Sequence, residues 1–152
     1  MKLGVDTNVL VYTHIGGLPH HPPVRRFMES RAAMQSTVLC LTPRVLNEFV
    51  HIVTDPRRFD APLTVDQALQ VARGYGGRSN VQILAENEES MVLAWELMQT
   101  HRLGRNRLAD TFIAATLLSA GVTDLVTCNV DDFRIFEALT LHDPRRRGVQ
   151  DD

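Results

Sequence analysis

Four short stretches of this chain place acidic residues in settings where chemistry is possible: "GVDTN" (Asp6), "VLNEFVHIV" (Glu48), "RLADTFIAAT" (Asp110) and "TCNVDDF" (Asn129, Asp131, Asp132). Carboxylates held together repel one another, and each has its pKa raised unless a cation neutralises the group. An all-oxygen set with no cysteine pair and no evident histidine ligand suits a hard ion such as Mg²⁺ or Mn²⁺ rather than zinc. Mg²⁺ keeps several waters, leaving room for phosphate oxygens and an activated water, so phosphodiester hydrolysis fits such a group. Arginines stand nearby in sequence to hold a nucleic-acid backbone: Arg102, Arg105 and Arg107 before Asp110, and Arg57 and Arg58 after the Glu48 segment.

The elements that must bring these acids together can be read from the alternation of short β-rich runs with longer helix-like ones. Strands are expected at residues 3–5, 37–41, 81–84 and 125–128, with 139–142 a weaker candidate, so the central parallel sheet has four to five strands. Most are continuous apolar runs, as in sheets covered by helices on both faces. A first helix is expected from Pro22, with Val24, Phe27 and Met28 inward. A second has Thr42 as its N-cap and Pro43 at its first position, and ends before Asp55 and Pro56. A third runs from Thr64 to about Arg73, where Gly74, Gly76 and Gly77 stop it; two more cover 88–101 and "NRLADTFIAATLLSAG", closed by Gly121.

This order gives an α/β fold, a three-layer α/β/α sandwich with right-handed crossovers. Ligands bind such sheets at the carboxyl ends of the strands. Asp6, Asn129 and Asp132 then share one rim. Glu48 borders the buried face of its helix near Val45 and Ile52, and Asp110 shares a stripe with Ile113, Ala114 and Leu117. Small Ala114 and Ala115 would let the last long helix approach the sheet closely.

Composition narrows the class. With 152 residues and 44% hydrophobic content the chain suits one domain, 1–152, with about 143–152 as a solvated tail. Net charge is −2, so a polyanionic partner must be held by local patches. Lys2 is the only lysine, which excludes Schiff-base and P-loop lysine chemistry. Cys40 and Cys128 sit in apolar runs and are expected as free core thiols. With no signal peptide and no apolar run of membrane-spanning length, a soluble cytoplasmic protein is expected.

Taken together, "VDTNVLVY", "LNEFVHIVTDPRRF", "LADTFIAATLLSAG" and "LVTCNVDDFRIF" resemble, in order and spacing, the PIN-domain ribonucleases, and more narrowly the VapC-type toxins of bacterial toxin–antitoxin pairs. The resemblance spans residues 3 to about 139. It implies a five-stranded parallel sheet and Mg²⁺- or Mn²⁺-dependent endoribonuclease activity on an RNA substrate. It further implies a homodimer neutralised by a small VapB-type antitoxin, which alone contacts operator DNA. Carried over by position, Asp6, Glu48 and Asp110 are the metal-site and catalytic acids. Thr7 and Asn8 support the first acid. Thr127 matches the threonine that precedes the fourth position, where many relatives carry an acid and this chain has Asn129; Asn129 and Asp132 are taken as its occupants, with Asp131 in reserve. One metal ion is the safer expectation than two.

Simpler readings exist for each residue alone. Asp6 could be a turn-forming side chain, Asp110 a first-turn acid favoured by the helix dipole, and Glu48 a partner of Arg44 one turn earlier. His20 and His21 read as a solvated loop. Met91, Trp95 and Met98 read as a core or dimer-facing stripe. A phosphoacceptor receiver domain fits poorly, because the strand "TVLCL" leads into Thr42 and Pro43 without an aspartate. A PIN-like scaffold without catalysis would be expected to have lost one of Asp6, Glu48 and Asp110, and all are present. A PIN nuclease of RNA processing that has no antitoxin remains the other alternative.

Overall fold

The computed structural model describes residues 1–146. Five strands, β1 (Lys2–Val5), β2 (Val38–Leu41), β3 (Val81–Ile83), β4 (Asp124–Val126) and β5 (Thr140–His142), form one all-parallel sheet in the order β3-β2-β1-β4-β5. The fourth strand stops two residues sooner than the apolar run suggests. Thr127 still bonds to the His142 carbonyl at 3.0 Å, but Cys128 and Asn129 already turn away from the sheet.

The helices are α1 (Thr7–His14), α2 (His21–Ala33), α3 (Pro43–Val53), α4 (Val65–Gly76), α5 (Glu88–Thr100), α6 (Leu108–Ser119) and the single turn α7 (Val130–Phe133). Helices α1 to α4 pack against one another, as do α5, α6 and α7 in a second group. The chain moves from β1 outward to β2 and β3, then crosses to the other side of β1 for β4. Right-handed crossovers in opposite directions put the two helix groups on opposite faces. Leu3, Val5, Leu39, Leu41, Leu125 and Phe49 are fully or almost fully buried between them.

Local chemistry explains most boundaries. Thr42 caps α3 by accepting from the Val45 amide at 3.2 Å, with Pro43 in the first turn. Thr64 and Gln67 form a reciprocal capping box on α4, as do Asn87 and Ser90 on α5. Gly121, at φ 73°, ends α6 in a conformation that costs glycine nothing.

Three expectations change. Helix α4 continues through Gly74 to Gly76, because Tyr75 is 2% exposed and its hydroxyl bonds to His14 Nε2 at 2.6 Å; that packing outweighs the glycine penalty. Of the stripe expected to be core or dimer-facing, Trp95 is 51% exposed on α5, which removes only the core reading for it, whereas Met91 and Met98 are half-buried. The chain after β5 is tied down at first: Pro144 is buried, and Asp143 bonds Arg145 at 2.8 to 3.0 Å. The rest of the expected tail, 147–152, lies outside the described residues.

Helix α1 is absent from the sequence-based expectation. Its alternating β-branched residues, Val9 and Val11, read like an extended segment, and its buried residues lie on several sides. The overlooked signal is Asp6, which caps the helix by accepting from the Thr7 amide at 2.7 Å. Both cysteines are free and buried, as expected.

Candidate active site

The sheet reverses its build direction between β1 and β4, and a crevice opens beyond their carboxyl ends. Asp6 sits at that point, only 4% exposed, with its amide still bonded to the Val126 carbonyl at 3.1 Å. One carboxylate oxygen accepts from the Thr7 amide. The other accepts from Asn8 Nδ2 at 3.0 Å and Thr127 Oγ1 at 2.7 Å. Thr127 Oγ1 in turn accepts from the Asn129 amide at 2.9 Å, and Asn8 Oδ1 from the Cys128 amide at 3.1 Å. Thr7, Asn8 and Thr127 thus fix Asp6 in one orientation and tie the start of α1 to the exit of β4.

Glu48 reaches the same place from α3. Its Oε2 accepts from Thr7 Oγ1 at 2.9 Å, so one threonine bridges the first two acids. Arg44 is not its partner. That guanidinium makes a two-pronged contact with Glu86 at 2.7 and 3.1 Å and lies 4.8 Å from the Phe112 ring centroid. Asp110 approaches from the first turn of α6. This helix can come close because Gly4 lies beneath it: a Cβ there would stand 2.5 Å from Leu117 Cδ1. Ala114 and Ala115 are fully buried, as the expected close approach requires.

The acids act on one another electrically. Burial pushes the Asp6 carboxyl up from 3.8 to about 7, against the lowering effect of its Thr127 and Thr7 bonds and with Asp110 and Glu48 adding repulsion. Asp110 is also raised, first by burial and then by Asp132 and Glu48, with Arg107 opposing. Asp132 is thus within electrostatic reach of Asp110, although it does not line the crevice itself. Asp131 points elsewhere: it is 89% exposed and pairs with Arg134 at 3.1 Å. Asn129 is exposed and borders the crevice.

The arginines divide. Arg107 turns inward through a short 3₁₀ turn, Arg105–Arg107, and donates to the main-chain carbonyl of Asp132; its buried Nε has no partner among the described residues. It joins the loop of one acid to the helix of another rather than reaching out towards a ligand. Arg102 and Arg105 are exposed outside the crevice lining, and Arg57 is 88% exposed beside Asp55. Arg58, its neighbour, stands 3.6 Å from the same carboxylate but also lines the crevice. Sequence spacing could not distinguish the two, because the turn after α3 decides which one faces inward. His20, expected in a solvated loop, instead lines the crevice edge-on to Tyr12 with ring centroids 5.1 Å apart, and His21 begins α2; Tyr12 and Phe59 complete the lining.

The crevice measures about 600 Å³ and is lined by Asp6, Glu48, Asp110 and Asn129 among others. Among the described residues, no three His, Cys, Asp or Glu side chains converge tightly enough to enclose an ion. Asp6, Glu48 and Asp110 would therefore have to meet an ion partly through waters, which Mg²⁺ retains readily. Asp6 gives a reason for one: a buried carboxylate crowded by other acids, with no guanidinium or ammonium bonded to it among the described residues, is a charge in need of a cation.

Fold and site together define a parallel α/β protein with an acidic crevice at the carboxyl edge of its sheet. The PIN domain family model matches residues 4–138, so the chain belongs to the PIN-domain family, and within it to the VapC-type ribonucleases. Ribonuclease VapC24 of Mycobacterium tuberculosis is 30% identical over 142 residues, 93% of this chain and 96% of that protein. Ribonuclease VapC43 of the same species is 31% identical over 121 residues, 80% of this chain and 82% of that one. Among solved structures, VapBC-1 from nontypeable Haemophilus influenzae aligns with TM-score 0.68 at 18% identity, covering 96% of this chain and 100% of that chain. VapC20 of M. tuberculosis, described as a Sarcin-Ricin loop cleaving toxin, aligns with TM-score 0.63 at 19% identity, covering 81% and 86%.

Proposed function

We propose that this chain is a Mg²⁺- or Mn²⁺-dependent endoribonuclease, the toxin of a VapBC-type pair, working as a homodimer and held in check by a small antitoxin. The observation that carries the reading is the meeting of Asp6, Glu48 and Asp110 from three separate elements in one crevice. Asp6, Glu48 and Asp110 would hold the cation, with Asp132 adding negative charge beside Asp110. When bound, a divalent ion there supplies a Lewis acid for a phosphoryl oxygen and lowers the pKa of a bound water.

The chain's own residues supply orientation. Thr7 spans Asp6 and Glu48, so their separation is fixed before any substrate arrives. Thr127 and Asn8 hold the second oxygen of Asp6 and stop that carboxylate from rotating. Arg107 keeps the Asp132 loop beside α6. Arg58, at the mouth of the crevice, is placed to meet a phosphate of the RNA backbone.

Complexes of VapB with VapC and of FitA with FitB appear among the structural relatives, one of them described as bound to a promoter DNA fragment. An antitoxin that contacts operator DNA on this protein's behalf is the corresponding partner here. The toxin reading is tested by expression in a bacterium that lacks the antitoxin: growth slows with the wild type, and Asp110→Asn or co-expression of the neighbouring short gene restores it. Unimpaired growth at a verified protein level contradicts the toxin assignment.

A further inference from the structure

The molecule carries a net charge of −2, yet one groove beside the crevice is strongly basic. It measures about 530 Å³ and runs between α2 and the segment that follows β5. Arg26 and Arg31 come from one side, Arg145 and Arg146 from the other. Four guanidinium groups face a single carboxylate in that lining, Asp143, and Arg145 takes up most of that carboxylate at 2.8 to 3.0 Å. His142 lines the groove too, but it is bonded to Asp124 at 2.8 Å. Arg26 is exposed and has no ion-pair partner among the described residues; Arg146 is 79% exposed and stands 3.8 Å from Asp143.

The groove is built, not a chance gathering of mobile side chains. Arg26 and Ser30, like Phe27 and Arg31, are one helical turn apart on α2, so they share a face. Arg31 lies 5.1 Å from the Phe27 ring centroid, which limits its rotamers. Across the groove, the buried Pro144 and the bonds from Asp143 to the amide and side chain of Arg145 set the turn. The groove also adjoins the crevice. Pro23 lines the groove, and His20, three residues before it, lines the crevice beside Tyr12. The start of α2 is fastened to the same residue, with His21 Nδ1 2.7 Å from the Tyr12 carbonyl.

We infer that this groove is a backbone-binding track for single-stranded RNA, holding the strand on one side of the cleavage point with Arg26, Arg31 and Arg146. The inference rests on the ribonuclease reading. Planar guanidinium forks match phosphate, and a phosphodiester chain that crosses the crevice must continue over an adjoining surface. The groove on the α5 side is its electrostatic opposite, lined by Glu88, Glu89 and Glu96.

The test compares binding of a labelled RNA of roughly 12 nucleotides with a fragment of roughly 4, in chelator so that the substrate survives. Arg26→Gln with Arg31→Gln in the full chain weakens the longer RNA about tenfold and reduces its salt slope by about 1.4, that is about 0.7 for each lost phosphate contact. The short fragment shifts less than about twofold. Arg26→Gln alone, at an exposed site where folding is not at risk, shows the same pattern with a smaller change. Equal affinity and equal salt slope for wild type and variants overturn the track. If the metal-supplied wild type still cleaves RNA in that case, the ribonuclease reading stands without it; if it does not cleave, both fall. Polyglutamate that binds the wild type and is released by the double variant, with RNA affinity unchanged, assigns the groove to an acidic protein segment and also overturns the inference.

Discussion

Asp6 does two jobs that pull against each other. As the cap of α1 it gathers three donors, which favours the charged form; buried among acids, it is pushed up to about 7, which favours the neutral form. The consequence for stability follows from linkage. In the metal-free protein the folded state keeps a proton on Asp6 between 3.8 and about 7 where the unfolded chain has lost it, so stability falls as pH rises across that window. A displacement of that size corresponds to about 4 kcal/mol. His14, lowered from 6.5 to about 4 by burial, acts in the opposite sense: its contribution is full above 6.5 and is lost as pH falls towards 4. The Asp6→Asn variant separates the two. Its urea stability in chelator rises relative to wild type as pH goes from about 4 to 8, by at most about 4 kcal/mol. A wild-type-minus-variant difference that is flat with pH contradicts the crowded-carboxylate account.

At the scale of elements, the approach of α6 to the sheet is what delivers Asp110. Gly4 permits it, since any Cβ meets Leu117 below 3 Å and the Asp124 carbonyl at 3.2 Å. Gly4→Ala is expected to cost about 1–3 kcal/mol through overpacking, because Leu117 is 1% exposed and has little room to rotate. Cleavage should fall more than stability alone explains, as the helix that carries Asp110 shifts; wild-type activity and an unchanged denaturation midpoint contradict this. Elements with caps were legible in the sequence: Thr42 with Pro43 marks α3 and Thr64 marks α4. Helix α1 was not, since two turns rich in β-branched residues carry the pattern of a strand and only tertiary burial decides between them. The same limit applies to the arginines. Whether Arg57 or Arg58, or the inward Arg107 or the outward Arg105, meets a ligand depends on turns of three or four residues, whose geometry leaves no periodic trace.

For the whole molecule, a small negative net charge hides a division of the surface into an acidic crevice with a basic groove beside it and an acidic groove elsewhere. Charge totals could not show that division, which arises from the meeting of α2 with the chain after β5. None of the helices among the described residues is long and apolar enough to cross a membrane. The central claim is that Asp6, Glu48 and Asp110 form a cation-dependent centre for RNA cleavage. Its most direct test is incubation of total RNA with the purified, antitoxin-free chain in Mg²⁺, Mn²⁺ or chelator, beside Asp6→Asn. Discrete fragments that require the divalent ion, and that fall by at least about a hundredfold in the folded variant, are the predicted result. Equal cleavage in chelator, or by the variant, would contradict it.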